Sequence, residues 1–152
     1  MALKSMMKKM GTMMDGKTLW GALYRHGSLR KTSPLTPEEQ KYLNDLGAKR
    51  CKVGLCYMNA QSMVVSDHHR KNPRLKYVEG LVTVHGVPID HAWVEINGKV
   101  ADPTPINPQK KFIPEYFGIE IPAKDVLVHM LKRKMYSPLT QDEYGEKFFK
   151  TD

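Results

Sequence analysis

Between residues 75 and 104, apolar and polar positions alternate in steps of two: "LKYVEGLVTVH", then "IDHAWVEI", then "KVADPT". A period of two sends successive side chains to opposite faces of a strand, so the pattern predicts three antiparallel strands. "GVP" (86–88) reads as the turn between the first two, and Asn97-Gly98 as a two-residue hairpin loop between the second and third. Elsewhere the period is that of a helix. In "SPLTPEEQKYLNDLG", Thr36 is an N-cap, Pro37 takes the first helical position, Glu39 closes a capping box and Gly47 stops the helix. "LCYMNAQSMVVS" is a second helix, preceded by Gly54, whose backbone freedom permits a sharp turn into it. Apolar residues at 3, 6, 7, 10, 13 and 14, with lysines between them, predict a further helix near the N-terminus, weakened by Gly11. Downstream, "PEYFG" reads as a short helical turn. "AKDVLVHMLKRKM" is a helix with Val126, Leu127, Met130 and Leu131 on one face. Thr140 and Glu143 repeat the capping pattern before a last helix. There is no useful internal repeat or low-complexity segment. The order of helix, helix, three strands, helix, helix is that of an α+β fold.

Composition narrows the class. The chain has 152 residues, 41% apolar and 26% charged, as expected of one soluble domain with its own core. No apolar run reaches the ~20 residues that a membrane-spanning helix needs. The first residues lack the continuous apolar stretch of a secretory leader, so the expected location is cytoplasmic. Two cysteines do not make a disulfide framework, and two alone do not make a four-ligand zinc site. The net charge of +8 is uneven, because residues 1–31 carry seven Lys/Arg against one Asp. The expected division is a basic, methionine-rich arm over 1–31 and one domain over 32–152. An arm of this kind suits nucleic acid or an acidic protein partner. One reading of the chain is therefore an inert binding module docked through the arm.

The hairpin supports another reading. A two-residue loop at 97–98 sets Ile96 opposite Lys99, Val94 opposite Ala101 and Trp93 opposite Asp102. Opposed residues share a face, as do residues two apart on one strand. His91, Trp93 and Asp102 thus fall on one face, with His91 diagonal to Asp102 at roughly 7–8 Å between backbones, within reach of an imidazole and a carboxylate. Cys56 follows Gly54-Leu55 at the first turn of its helix. Free N–H groups and the helix dipole there favour a thiolate, and can bring a thiol pKa from ~8.5 to about 3.5–7.5. Cys51 precedes the helix and has no such placement. Cysteine, histidine and aspartate then have the chemistry of nucleophile, general base and acid, and tautomer holder. The backbone N–H of Cys56 is the expected oxyanion donor, with Asn59 and the 50–54 loop as candidates for a second. A metal site built from His68, His69, His85 and Asp90 lacks any ligand spacing typical of zinc. Neither metal nor cofactor is expected.

"GLCYMNA", "YVEG" and "HAWVEINGKVADPT" together resemble the core of the transglutaminase-like superfamily, within the papain-like fold. The resemblance covers about residues 50–105, extends loosely to "YFG", and leaves residues 1–49 without a counterpart. It implies a cysteine-bearing helix packed on a small antiparallel sheet that carries the histidine and aspartate. It also implies acyl transfer through a thioester, with Cys56 as nucleophile, His91 as base and Asp102 as orienter. Tyr57 stands where bacterial members often have Arg or Gln. The expected substrate is a protein or peptide-like amide. Water as acceptor gives a protease, amidase or deamidase; an amine gives a crosslinking transglutaminase. Hydrolysis is favoured because no acceptor site is visible. Tyr57, Asn59, Glu79 and Trp93 are the candidate substrate contacts.

Overall fold

The structure, a computed structural model, describes residues 3, 5, 19–104, 113–141 and 144–145. Its elements are α1 (Leu19–His26), β1 (Ser28–Leu29), α2 (Pro37–Asp45), α3 (Cys56–His68), β2 (Leu75–Val84), β3 (Val87–Ile96), β4 (Lys99–Ala101), β5 (Tyr116–Ile121) and α4 (Ala123–Arg133). Single 3-10 turns lie at Ala48–Arg50 and Leu139–Gln141. The fold is α+β: the strands form one antiparallel sheet in the order β1-β5-β2-β3-β4.

Both hairpins are set by their loops. Asn97 (φ 51°) and Gly98 (φ 73°) have positive φ, the mirror-image turn geometry that matches strand twist. The register is the expected one, with Ile96 opposite Lys99 and Val94 opposite Ala101. The first turn falls at His85 (φ 50°) and Gly86 (φ 79°) rather than at 86–88. Val87 and Pro88 already belong to β3.

Alternation divides the core. Tyr77, Ala92, Val94, Ile96 and Ile121 point to one face, where Ala60, Met63 and Val64 of α3 and Val126 of α4 cover them. Ala22 and Leu23 of α1, with Leu3, cover Leu81, Phe117 and Ile119 further along the same face. Truncating a buried side chain such as Met63 to alanine costs about 2–5 kcal/mol. Val78, Val82, Trp93 and Tyr116 form a separate buried cluster on the opposite face.

Two expectations need correcting, and two fall largely outside the described residues. "PEYFG" starts no helix: Tyr116–Ile121 is a strand inside the sheet, between β1 and β2. Gly118 disguised it, and its lack of a side chain is what the fold uses. A Cβ there would meet Val78 Cγ1 at 2.5 Å and Trp93 Cη2 at 2.8 Å. Thr140 lies inside the 3-10 turn, where its hydroxyl and N–H both donate to Glu79 Oε1, at 2.7 and 3.0 Å; Glu143 and most of the last expected helix lie outside the described residues. In α4 the buried positions are Val126 and His129, and Leu131 faces solvent. The hydrogen bonds of His129 Nε2 with Ser137 compensate its burial. Of the expected N-terminal helix, Leu3 and Ser5 are helical, and the rest lies outside the described residues.

The capping box of α2 forms as read: Thr36 Oγ1 accepts from Glu39 N at 3.1 Å, and Glu39 Oε1 accepts from Thr36 N at 2.8 Å. Glu39 also accepts from Lys99 Nζ and, at 2.7 Å, from Asn97 Nδ2, so it ties α2 to the hairpin loop. The Lys99 ammonium first, then the Thr36 N–H, bring its pKa down to about 2. Within the stretch assigned to the basic arm, Arg30 makes a two-point contact with buried Glu95, at 2.9 and 2.6 Å. Lys31 O accepts from Val100 N.

Candidate active site

Gly54 (φ 78°) turns the chain into α3, with nothing within 4 Å of where its side chain would stand. Leu55 occupies the N-cap and provides no side-chain cap. The first-turn N–H groups of a helix have no intrahelical partner. Here the residue that heads the uncapped turn is Cys56, half-buried. α2 is fully capped and α3 is not, so the end of α3 can receive negative charge on a thiolate or an oxyanion.

His91 is buried on β3, and its Nε2 lies 2.6 Å from Asp102 Oδ2. Asp102 follows β4 directly, and the hairpin brings it back beside His91. Its Oδ1 accepts from Thr104 N at 3.0 Å, and its Oδ2 accepts from the Tyr116 hydroxyl at 2.9 Å. Burial alone would lower the His91 pKa. The hydrogen bond to Asp102, and next the interaction with Cys56, outweigh it and raise the pKa to about 9. With Nε2 committed to Asp102, Nδ1 is the ring nitrogen that remains for the thiol. The imidazole also stacks on the Trp93 indole, with centroids 6.1 Å apart and planes 22° apart.

Cys51 has different surroundings. Its sulfur lies 3.8 Å from Gly47 O and 3.9 Å from Met63 Sδ. Burial, and then the Asp102 charge, push its pKa up. The thiolate form, the reactive one, is disfavoured there.

Of the four candidate substrate contacts, three have other roles. Asn59 is buried: its Nδ2 donates to Lys52 O (2.8 Å) and Thr104 Oγ1 (3.0 Å), and its Oδ1 accepts from Lys52 N (3.3 Å). Both amide hydrogens are occupied, so Asn59 has none for an oxyanion. It joins the loop before Cys56 to the segment after Asp102. Glu79 is buried on the face opposite His91, accepting from Tyr77 Oη (2.6 Å), Leu139 N (2.9 Å) and Thr140. Burial raises its pKa against the lowering effect of these donors. It anchors the 139–141 turn. Trp93 is fully buried, and its Nε1 donates to Glu95 Oε2 at 3.1 Å. It supports the imidazole from below. Tyr57, half-buried, remains beside the site. Burial raises its pKa, and so do the charges of Glu79, Cys56 and Asp90.

Tyr116 was missed in the sequence because "PEYFG" looked helical. A strand reading of 116–121 would have put Tyr116 on the face of His91. Among the described residues, no group of three or more His, Cys, Asp or Glu side chains is placed to hold a metal. No helix of the described residues is long and apolar enough to cross a membrane. Compared with protein-family models, with curated proteins and with solved structures, the chain matches none.

Proposed function

We propose that the protein is a cysteine-dependent acyl-transfer enzyme with a core of the transglutaminase-like, papain-like type. One observation carries the reading. The buried His91 imidazole is held by Asp102 at 2.6 Å and also acted on by Cys56, which heads an uncapped helix. The Cys56 thiolate adds to an amide carbonyl. The developing oxyanion takes the free N–H of Cys56, a kind of donor worth about 2.7–4 kcal/mol where it has been removed from other enzymes. The carbon–nitrogen bond breaks as protonated His91 delivers its proton to the leaving amine, and a thioester remains. Neutral His91 then removes a proton from the acceptor, which attacks the thioester and releases the thiolate. Asp102 holds the imidazole in the required tautomer and stabilises its cation. Water as acceptor makes the net reaction hydrolysis of a peptide or amide bond; an amine in its place makes the enzyme a transglutaminase.

Iodoacetamide labelling with peptide mapping tests this. Cys56 is expected to react at least roughly tenfold faster than Cys51 near neutral pH, as expected for an activated thiolate compared with a thiol whose pKa is raised. The advantage disappears in His91→Ala. Equal labelling of the two cysteines, unchanged by that substitution, would remove the basis for an enzyme.

A further inference from the structure

The strand that carries His91 is paired along its full length on one side and only at its far end on the other. β2 pairs with every residue of β3, whereas β4 pairs only with Val94, Glu95 and Ile96. Among the described residues, no strand lies against that second side from Val87 to Trp93. A two-residue hairpin loop makes its flanking residues, Val84 and Val87, a hydrogen-bonded pair, and bonded and open pairs alternate from there. Residues 87, 89 and 91 therefore turn their N–H and C=O toward β2. Pro88 and Asp90 turn theirs outward. Pro88 fits this place, since it has no N–H to leave unpaired. Asp90 is exposed and Pro88 half-buried, so an open strand edge ends one residue from His91. Such an edge is a template for an added extended chain.

The side chains along the edge are not uniform. Ile89 (43% exposed) and Val87 (60%) stand on the same face as His91, and Val53 and Leu55 are exposed just before Cys56. Asp90 stands on the other face. Its carboxylate takes one long hydrogen bond, 3.4 Å from Gln141 Nε2, and no cation among the described residues. Partial burial raises the Asp90 pKa, and a cation placed beside it would reverse that shift.

We infer, resting on the acyl-transfer reading, that the substrate is an extended polypeptide segment laid as an extra strand along the Pro88–Asp90 edge, with a lysine or arginine opposite Asp90 and apolar residues beside it. Opposed residues share a face and successive ones alternate. The basic side chain therefore meets Asp90; of its two neighbours one meets Ile89 and the other faces His91, and the residue two further along from the first meets Val87. Because Asp90 adjoins His91, the reacting carbonyl lies within one residue of the basic side chain.

The full chain, Asp90→Asn and Asp90→Lys are each treated with peptidyl acyloxymethyl ketones carrying Leu plus either Lys or Glu within one residue of the reacting carbonyl. Cys56 labelling is followed by mass spectrometry. The Lys-to-Glu rate ratio is expected to be about fivefold in the parent protein, the scale of an exposed charge pair. It falls to near one in Asp90→Asn and inverts in Asp90→Lys. A ratio that is the same in all three proteins overturns the inference, even if Cys56 reacts readily. A second arm needs no reactive thiol. Cys56→Ala protein is titrated with an unreactive Leu-Lys-Leu peptide while hydrogen exchange of the Asp90 amide is followed. Slowed exchange supports the edge site, and unchanged exchange at millimolar peptide refutes it. An inert Cys56 combined with a protected Asp90 amide would sink the chemistry and leave the docking edge standing.

Discussion

Replacing Asn59 by alanine separates two roles that a buried amide beside a thiol could have. The structure gives its side chain three hydrogen bonds, two with the Lys52 backbone and one with Thr104 Oγ1. At about 1 kcal/mol net for each, their loss amounts to roughly 3 kcal/mol. Lys52 is exposed, so its backbone groups regain water, whereas Thr104 stays buried. The expected cost is therefore about 2–3 kcal/mol. With a urea slope of about 1–3 kcal/mol per molar, the unfolding midpoint should fall by about 1 M. Freeing the 52–55 loop also releases the start of α3, so iodoacetamide should label Cys56 more slowly, toward the rate of Cys51. An oxyanion donor would behave differently. Its loss leaves stability and alkylation nearly unchanged and lowers peptide hydrolysis by about 10²–10³-fold. That second pattern, in urea melts and labelling of the same preparation, would refute the positioning role assigned to Asn59.

Other consequences can be measured in the same way. With His91 near a pKa of 9, hydrolysis should fall on an alkaline limb near pH 9; in Asp102→Asn, burial lowers the pKa unopposed by the carboxylate, and the limb should move toward 6.5 or below. The raised pKa also contributes stability that is complete below pH 6.5 and lost as pH rises through about 9, so the melting advantage of the parent over Asp102→Asn should shrink across that window. Glu39 has the opposite sign. Its depressed pKa contributes stability that is present above 4.5 and lost as pH falls toward 2, and thermal melts of Glu39→Gln should lack that acid dependence. Gly118→Ala should cost about 1–3 kcal/mol by pressing on Val78 and Trp93, and should slow Cys56 labelling because the displaced indole carries the imidazole with it; a fully stable variant with parental labelling would contradict this.

What could be read from the chain was whatever depends on a few neighbouring residues. Thr36, Pro37 and Glu39 specify the start of α2 because a capping box closes within four residues. Asn97-Gly98 specifies a turn, the turn fixes the register, and the register puts His91, Trp93 and Asp102 on one face. The same local signals misled where a distant partner decided the outcome. Gly118 and Tyr116 looked like a turn until β2 and Trp93 supplied the neighbours that need a glycine there. Thr140 gives both its N–H and its hydroxyl to Glu79, 61 residues earlier in the chain, a partner that no local signal names.

By itself the sequence determined the three strands between residues 75 and 104, their alternation and the candidate trio of cysteine, histidine and aspartate, because periodicity and turn chemistry act over a few bonds. Only the tertiary structure decided which polar side chains remain available. A buried donor or acceptor takes whatever partner the packed fold brings within about 3 Å. Those partners occupied Asn59, Glu79 and the Trp93 indole, and among the described residues no strand was placed against the edge of β3 beside His91.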